Sequence, residues 1–249
     1  MRVAPVPNRD VLRYFARDAV QNLFPCYICE QRPDGSAIAA FRDHGICGAI
    51  ASGRDVGLFA ASNAWLAADD EEVATCLLRE LPDRWRSGLE FPLRYERALA
   101  DAMPNAAISK DLHLTREGAA EHEGGAGELV PIRTDALDWV QLPKDLAAWI
   151  GPVGELPRGF FGLAVDGTLV SLAESFVRYR DCASIQQVFA MARARQKGYA
   201  RSLVSKLMQA ETPAIAHWTW LAAAANQASI ALASRLGFRP AYQLGCIEG

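Results

Sequence analysis

The sequence predicts an α/β (α+β) protein: a mixed sheet flanked by helices in the second half, preceded by another α/β half. Three observations carry this reading. From Phe160 to Cys246, strand-type and helix-type runs follow in the order β-β-β-α-β-α-β. At Ser184–Met208 an apolar run meets a basic turn holding one glycine, then an amphipathic run. Between the halves, Glu117–Glu128 is rich in Gly, Ala and Glu and has no apolar period, the composition of a linker or exposed loop. The division expected is an N-terminal domain over 1–116, a linker over 117–129 and a second domain over 130–249.

Taken in order, Asn8 is placed to cap a helix from Arg9. Leu12, Phe15, Ala16, Ala19 and Leu23 share its face, and Pro25 ends it. Cys26–Glu30 and Ala37–Phe41 read as strands around the turn at Pro33, Asp34 and Gly35, and Gly45–Ser52 with Val56–Ala61 as a second pair. Asp69, Asp70, Glu71 and Glu72 open a helix through Leu81. Acidic residues are favoured at a helix start, which outweighs a metal-site reading. Glu96–Ala102 reads as helix and Ile108–Thr115 as strand. A short helix is expected near Lys144–Trp149. Phe160–Val165 and Thr168–Tyr179 flank the hairpin signal Asp166-Gly167. Ser184–Phe189 is a strand, Gly198–Met208 a helix and Ile215–Leu221 a strand. Asn226 caps a helix over Ala228–Leu236 that Gly237 stops, and Phe238–Cys246 is the last strand.

Composition bounds the function. With 51% hydrophobic and 22% charged residues the chain can bury a core and is not disordered. A net charge of −3 gives no support for a protein that coats nucleic acid, so the basic turn is a local feature. The run Thr212–Ser234 lacks Asp, Glu, Lys and Arg, but its Pro213, His217, Asn226 and Gln227 are too polar for a membrane span. The N-terminus shows no secretory signal. Of six cysteines only Cys26 and Cys29 are close. No second ligand pair follows, so no metal site is expected, and reduced structural thiols in a cytoplasmic protein fit best.

The chemistry concentrates in the basic turn. Amides at a helix start have no partner inside the helix, and the dipole there favours an anion. Small residues at Gly198 and Ala200 allow close approach, and Arg193, Arg195, Lys197 and Arg201 add positive charge. That combination suits a diphosphate, although a solvated basic turn ahead of a helix accounts for the same residues.

A second stretch turns this into a resemblance. Arg195, Gly198 and Ala200 meet the pattern Gln or Arg, two residues, Gly, one residue, Gly or Ala. Asn226 is followed eleven residues later by Gly237 and Phe238. At this separation, with strands between, residues 130–249 resemble the GNAT superfamily of acyl-CoA-dependent N-acyltransferases. The wording VFAMARARQKGYA is most similar to the glycine N-acyltransferase-like branch, in which a related or degenerate half precedes the catalytic one; residues 1–116, ending in DLHLT, are compatible with it. The resemblance implies a mostly antiparallel GNAT-type sheet and acetyl-CoA, or another acyl-CoA, as co-substrate without a metal. Amides from Gln196 through Lys197, Gly198, Tyr199, Ala200 and Arg201 would hold the CoA pyrophosphate. Phe189 and Ala190 would offer backbone to the pantetheine arm, and the Val188 amide would stabilise the oxyanion. Asn226 and Ser229 would lie beside the pantetheine or adenine.

The reaction implied is direct attack of a primary amine of a small molecule on the thioester. Here the sequence departs from the family. A tyrosine that often supplies the acid is replaced by Ala233, and Ser184 stands where some members place a glutamate base. Glu174, a carboxylate in an apolar strand, is the candidate base, with His217 and Asp181 as rivals and a plain sheet-edge role as the competing account. A CoA-binding module that has lost catalysis is the alternative function, and an interaction protein a third. The acceptor would sit between the halves, where Trp65, Trp85, Trp218 and Trp220 either line it or belong to the core. No nucleic-acid or membrane partner is expected, and a homodimer is compatible with the reading.

Overall fold

The first residues carry Pro5 and Pro7, yet they form a strand. β1 (Arg2–Pro7) pairs with β2 (Ser36–Arg42) and ends the strand order. An edge strand tolerates the missing amides of Pro5 and Pro7. The computed structural model describes residues 1–42, 45–52, 64–118, 125–132, 159–175 and 177–248. It divides into two units: Met1–Leu114 with Ala222–Asn226 and Pro240–Gly249, and Thr115–Leu221 with Gln227–Arg239. The division is discontinuous, because the last strand of the chain belongs to the first unit. The expected strand Val56–Ala61 and the helix near Lys144–Trp149 lie outside the described residues.

In the first unit α1 (Asn8–Phe15) is followed by a 3-10 turn (Ala16–Asp18) and α2 (Leu23–Gln31). Two expectations are corrected here. Asn8 is the first helical residue rather than the cap, and its Nδ2 donates to Arg32 O at 2.9 Å. Cys26–Glu30 is helix, not strand: Pro25 stands in the first turn of α2, where its missing amide costs no intrahelical bond. β3 (Gly45–Ser52), β4 (Ala64–Ala68), α3 (Glu71–Arg79), β5 (Leu89–Pro92), α4 (Glu96–Ala102) and β6 (Ile108–Glu117) complete the half. β4 and β5 are fully buried, so they show no alternation to read from sequence. Strand order is β1-β2-β3-β4-β5-β13-β6, where β13 (Arg239–Ile247) is the final strand. Its Leu244, Gly245 and Cys246 pair antiparallel with Pro92, Phe91 and Glu90. Ile50, Leu66, Leu77, Leu89, Phe91, Leu99 and Ile247 share one core.

The acidic run behaves as expected. Asp70 caps α3 by accepting from the Val73 amide at 2.9 Å, and Arg42 pairs with both Asp70 and Glu72.

The second unit orders its strands β12-β11-β9-β8-β7, from β12 (His217–Ala223) through β11 (Cys182–Ala190), β9 (Thr168–Glu174) and β8 (Phe160–Val165) to β7 (Glu128–Pro131). The short β10 (Arg178–Tyr179) pairs with the start of β11. Asp166 and Gly167 take positive φ in the β8–β9 turn, as the hairpin signal requires. Helix α5 (Tyr199–Glu211) buries Leu203, Val204, Leu207 and Met208 and packs against β8 and β9. Helix α6 (Gln227–Arg235) ends at Gly237, whose φ is +86°. Phe238 N donates to Ala233 O and Gly237 N to Ser234 O, which is a Schellman closure.

Among the described residues each unit holds one parallel strand pair joined by a helix: β4 with β5 through α3, and β11 with β12 through α5. The sheets are otherwise mixed and mostly antiparallel, as the sequence predicts.

Candidate active site

Three local features of the second unit build the site. The first is a split between parallel strands. β11 and β12 pair in register from Cys182↔His217 to Ile185↔Trp220, while β11 continues to Ala190. Cys182 to Ile185 are buried, whereas Gln186 to Ala190 are half-buried or exposed. In the first unit the equivalent parallel pair is bridged instead: Trp65 Nε1 donates to the buried Glu90 Oε2 at 2.7 Å.

The second feature is a bulge. Gln186 opposes Glu174 and Phe189 opposes Leu172, so Gln187 and Val188 together oppose Ala173. Gln187 takes φ +47°, uncommon for a residue with a Cβ, and the bulge redirects the strand at Val188. Ser171 Oγ donates to Phe189 O at 2.6 Å and fixes the strand beyond it.

The third is the turn. After a 3-10 segment (Ala192–Ala194) the chain passes Gln196 at φ +62° and Gly198 at φ +81° into α5. Ser202 N finds Gly198 O at 3.0 Å, but the amides of Gln196, Lys197, Gly198, Tyr199 and Ala200 find no acceptor among the described residues. Left-handed residues alternating through such a turn let successive amides converge. A Cβ at Gly198 would meet nothing within 4 Å, so its requirement is conformational: φ, not space. Arg193, Arg195 and Lys197 are exposed around it. Arg195 folds back, with Nε donating to Ala190 O at 3.3 Å and its guanidinium 5.6 Å from the Phe189 ring centroid.

Glu174 is buried, 1% exposed, on a strand flanked by β8 and β11, so it does not stand at a sheet edge. Burial pushes its carboxyl up to about 8, and its Oε1 has no hydrogen-bond partner among the described residues. Pairing with Gln186 puts it about 8 Å from Val188, one strand across and two residues along. Its rivals are remote. His217, with Nε2 at 3.9 Å from Asp181 Oδ2, opposes Cys182 at the far end of β11, about 20 Å from Val188.

Ser184 is fully buried with its Oγ unpartnered, and Ala233 is fully buried in α6. Asn226 is exposed directly before α6, and Ser229 Oγ accepts from Trp220 Nε1 at 2.9 Å. Of the two accounts open for the indoles, burial supports the core: Trp65, Trp85, Trp218 and Trp220 are all buried. Cys26 and Cys29 are buried and form no disulfide, and burial pushes the Cys29 thiol up to about 12, the state of a structural thiol rather than a redox one. Among the described residues no group of three or more His, Cys, Asp or Glu is placed to hold a metal. None of the described helices is long and apolar enough to cross a membrane.

Sequence reasoning missed the bulge and the strand split, which leave no mark in residue type. It also missed Ser171, whose hydroxyl reads as ordinary strand composition.

Comparison with known proteins gives a consistent fold. A GNAT-family acetyltransferase from Colwellia psychrerythraea is 12% identical over all of both chains, with a TM-score of 0.57. A Drosophila protein is 13% identical over 98% of each chain, at 0.65. A tandem GNAT protein from the clavulanic acid biosynthesis pathway is 14% identical over 99% of this chain and 98% of its own, at 0.56. No curated protein matches the chain. Residues 128–238, which contain the strand split, the bulge and the turn, match the acetyltransferase (GNAT) family, and the chain has the GNAT fold.

Proposed function

We propose that the protein is an acyl-CoA-dependent N-acyltransferase that moves acetyl from acetyl-CoA to a primary amine of a small molecule. The observation that carries this is the run of five unpartnered amides from Gln196 to Ala200 at the start of α5, directly after a bulged strand that outruns its parallel neighbour. Charge-assisted bonds to such amides contribute about 1.5–3 kcal/mol each, so a few suffice for micromolar binding of a diphosphate. The amide of Arg201 and the side chains of Arg193 and Lys197 complete that cradle. The backbone of Phe189 and Ala190 lies along the pantetheine arm, with Asn226 and Ser229 flanking it. The reaction is direct. The amine nitrogen bonds to the thioester carbonyl carbon, the oxyanion is held by the Val188 amide, and the C–S bond breaks. CoA leaves as thiolate and takes a proton from solvent, while the proton lost by the amine goes to Glu174. A carboxyl whose burial raises its pKa to about 8 is matched to that task.

Among the described residues the first unit supplies no second copy of this cradle. At the same place in its strand–helix–strand order stand Asp69, Asp70, Glu71 and Glu72, and Asp70 already occupies the helix start. A carboxylate there repels a diphosphate. This supports a degenerate first half and the glycine N-acyltransferase-like branch. A cytoplasmic location accords with six cysteines that form no disulfide.

A second reading, a CoA-binding protein without turnover, is favoured by the buried Ala233, which offers no acid to the leaving thiolate. Calorimetric titration with acetyl-CoA and CoA, followed by an amine panel assayed for released thiol, separates the two. Binding with turnover supports transfer, binding alone supports the second reading, and no binding defeats both.

A further inference from the structure

A cavity of about 640 Å³ lies within the second unit, away from the bulge, between α5, the end of α6 and the end of β6. Among the described residues, Arg116, Arg201, Arg235 and Arg239 line it, with Glu117 as the one carboxylate. In a chain of net charge −3 this concentration of guanidinium groups is not background. Arg235 and Arg239 form no ion pair among the described residues, and Arg239 Nη1 reaches only the Phe238 carbonyl at 3.4 Å. A helix C-terminus ordinarily repels anions through its free carbonyls. Here those carbonyls are taken: Ala233 O by Phe238 N, Ser234 O by Gly237 N, and Leu236 O by Arg116 Nη1. The helix end therefore adds little negative field, and the arginines dominate. The hydroxyls of Ser205 and Ser234 supply neutral donors on the same wall.

We propose that this cavity is an anion site, separate from the turn at Gly198, for a small molecule carrying two or more phosphate groups. Guanidinium is planar, weakly hydrated and matched to phosphate in bidentate pairs. Arginines from four elements suit an extended polyphosphate better than a single carboxylate, and the volume lies in the range of ligand pockets. Arg201 also stands in the first turn of α5, so an occupant would touch the helix whose start forms the turn.

The test uses inorganic pyrophosphate and the full chain carrying Gly198→Glu, which closes the turn whatever ligand it takes. Calorimetry is expected to show one equivalent bound, weakened at least tenfold by adding Arg235→Ser and Arg239→Ser, and weakened by salt. Both arginines are exposed, so the variant keeps its fold, checked by its unchanged melting temperature. Failure of the Gly198→Glu protein to bind pyrophosphate, or binding indifferent to the two arginines, overturns the proposal. In the wild type, saturating CoA is expected to leave this binding in place; competition by CoA would assign the cavity to the co-substrate and overturn it too. Adenosine triphosphate as a second probe identifies the source: tighter binding than pyrophosphate marks a nucleotide, equal binding a free polyphosphate, and each supports the site.

Discussion

Glu174 and Gln186 face one another across β9 and β11, and the bulge begins directly beyond them. The pairing places a buried carboxyl two residues from the Val188 amide along the strand. It makes the proposed base and the proposed oxyanion donor neighbours although they are fourteen positions apart in sequence.

The first prediction concerns that carboxyl. Glu174→Gln should lower kcat by about 10²–10⁴-fold with little change in acetyl-CoA affinity, and should remove a rise of rate with pH through about 8. Stability moves the opposite way. Burial favours the protonated form, so between the ordinary carboxyl value of 4.5 and about 8 the unfolded chain binds fewer protons than the folded one, and stability falls as pH rises. At about 1.4 kcal/mol per unit the loss is on the order of 4 kcal/mol by pH 8. Denaturant titrations from pH 5 to 9 should show this slope in the wild type and not in the variant. An unchanged pH–rate profile would remove Glu174 from the mechanism.

Gly198 divides backbone strain from charge. Gly198→Ala places a Cβ in open space but at φ +81°, costing about 1–2 kcal/mol. CoA should then bind about tenfold more weakly. Gly198→Glu adds a carboxylate beside the five amides and should weaken binding by more than 100-fold. Equal effects of the two variants on CoA titrations would show that conformation alone matters.

Gly237 is held by a different constraint. Its φ is +86°, and a Cβ there would collide with the Arg116 guanidinium that donates to Leu236 O. Gly237→Ala should cost about 2 kcal/mol and lower the melting temperature by about 5 °C. Arg116→Met, which frees the space, should reduce the additional cost of the alanine, a coupling read from the double variant.

His113 gives the first unit an acid limit. Its ring is buried, with both nitrogens unpartnered among the described residues, 5.6 Å from the Tyr242 ring, and burial pushes it down to about 4. Asp18, bonded to Tyr242 Oη at 3.4 Å, pulls weakly the other way. Between pH 6.5 and about 4 the unfolded chain binds the proton the folded one refuses, so stability falls as pH drops, by about 3 kcal/mol. His113→Phe should flatten that limb in denaturant titrations at pH 4–7. A limb of the same slope in the variant would assign the acid loss to other groups.

Most of the second half was legible because its signals are local. Asp166-Gly167 marks a hairpin, Gly198 opens a helix with its left-handed backbone, and Gly237 closes one; each rests on allowed φ and hydrogen bonds within a few residues. The amphipathic period of α5 and the acidic start of α3 are equally local. Cys26–Glu30 misled because aromatic and β-branched residues suit a strand or a buried helix alike, and only packing selects between them.

The sequence by itself determined the strand–turn–helix around Gly198, its charge and the acidic counterpart at Asp70, since chain chemistry over a dozen residues decides those. Tertiary structure alone decided that β11 outruns β12, that Val188 sits in a bulge opposite Ala173, that Glu174 is interior, and that the last strand completes the first unit's sheet. Register and strand order are set by which distant surfaces bury one another, and residue type carries no record of the partner until the chain has folded.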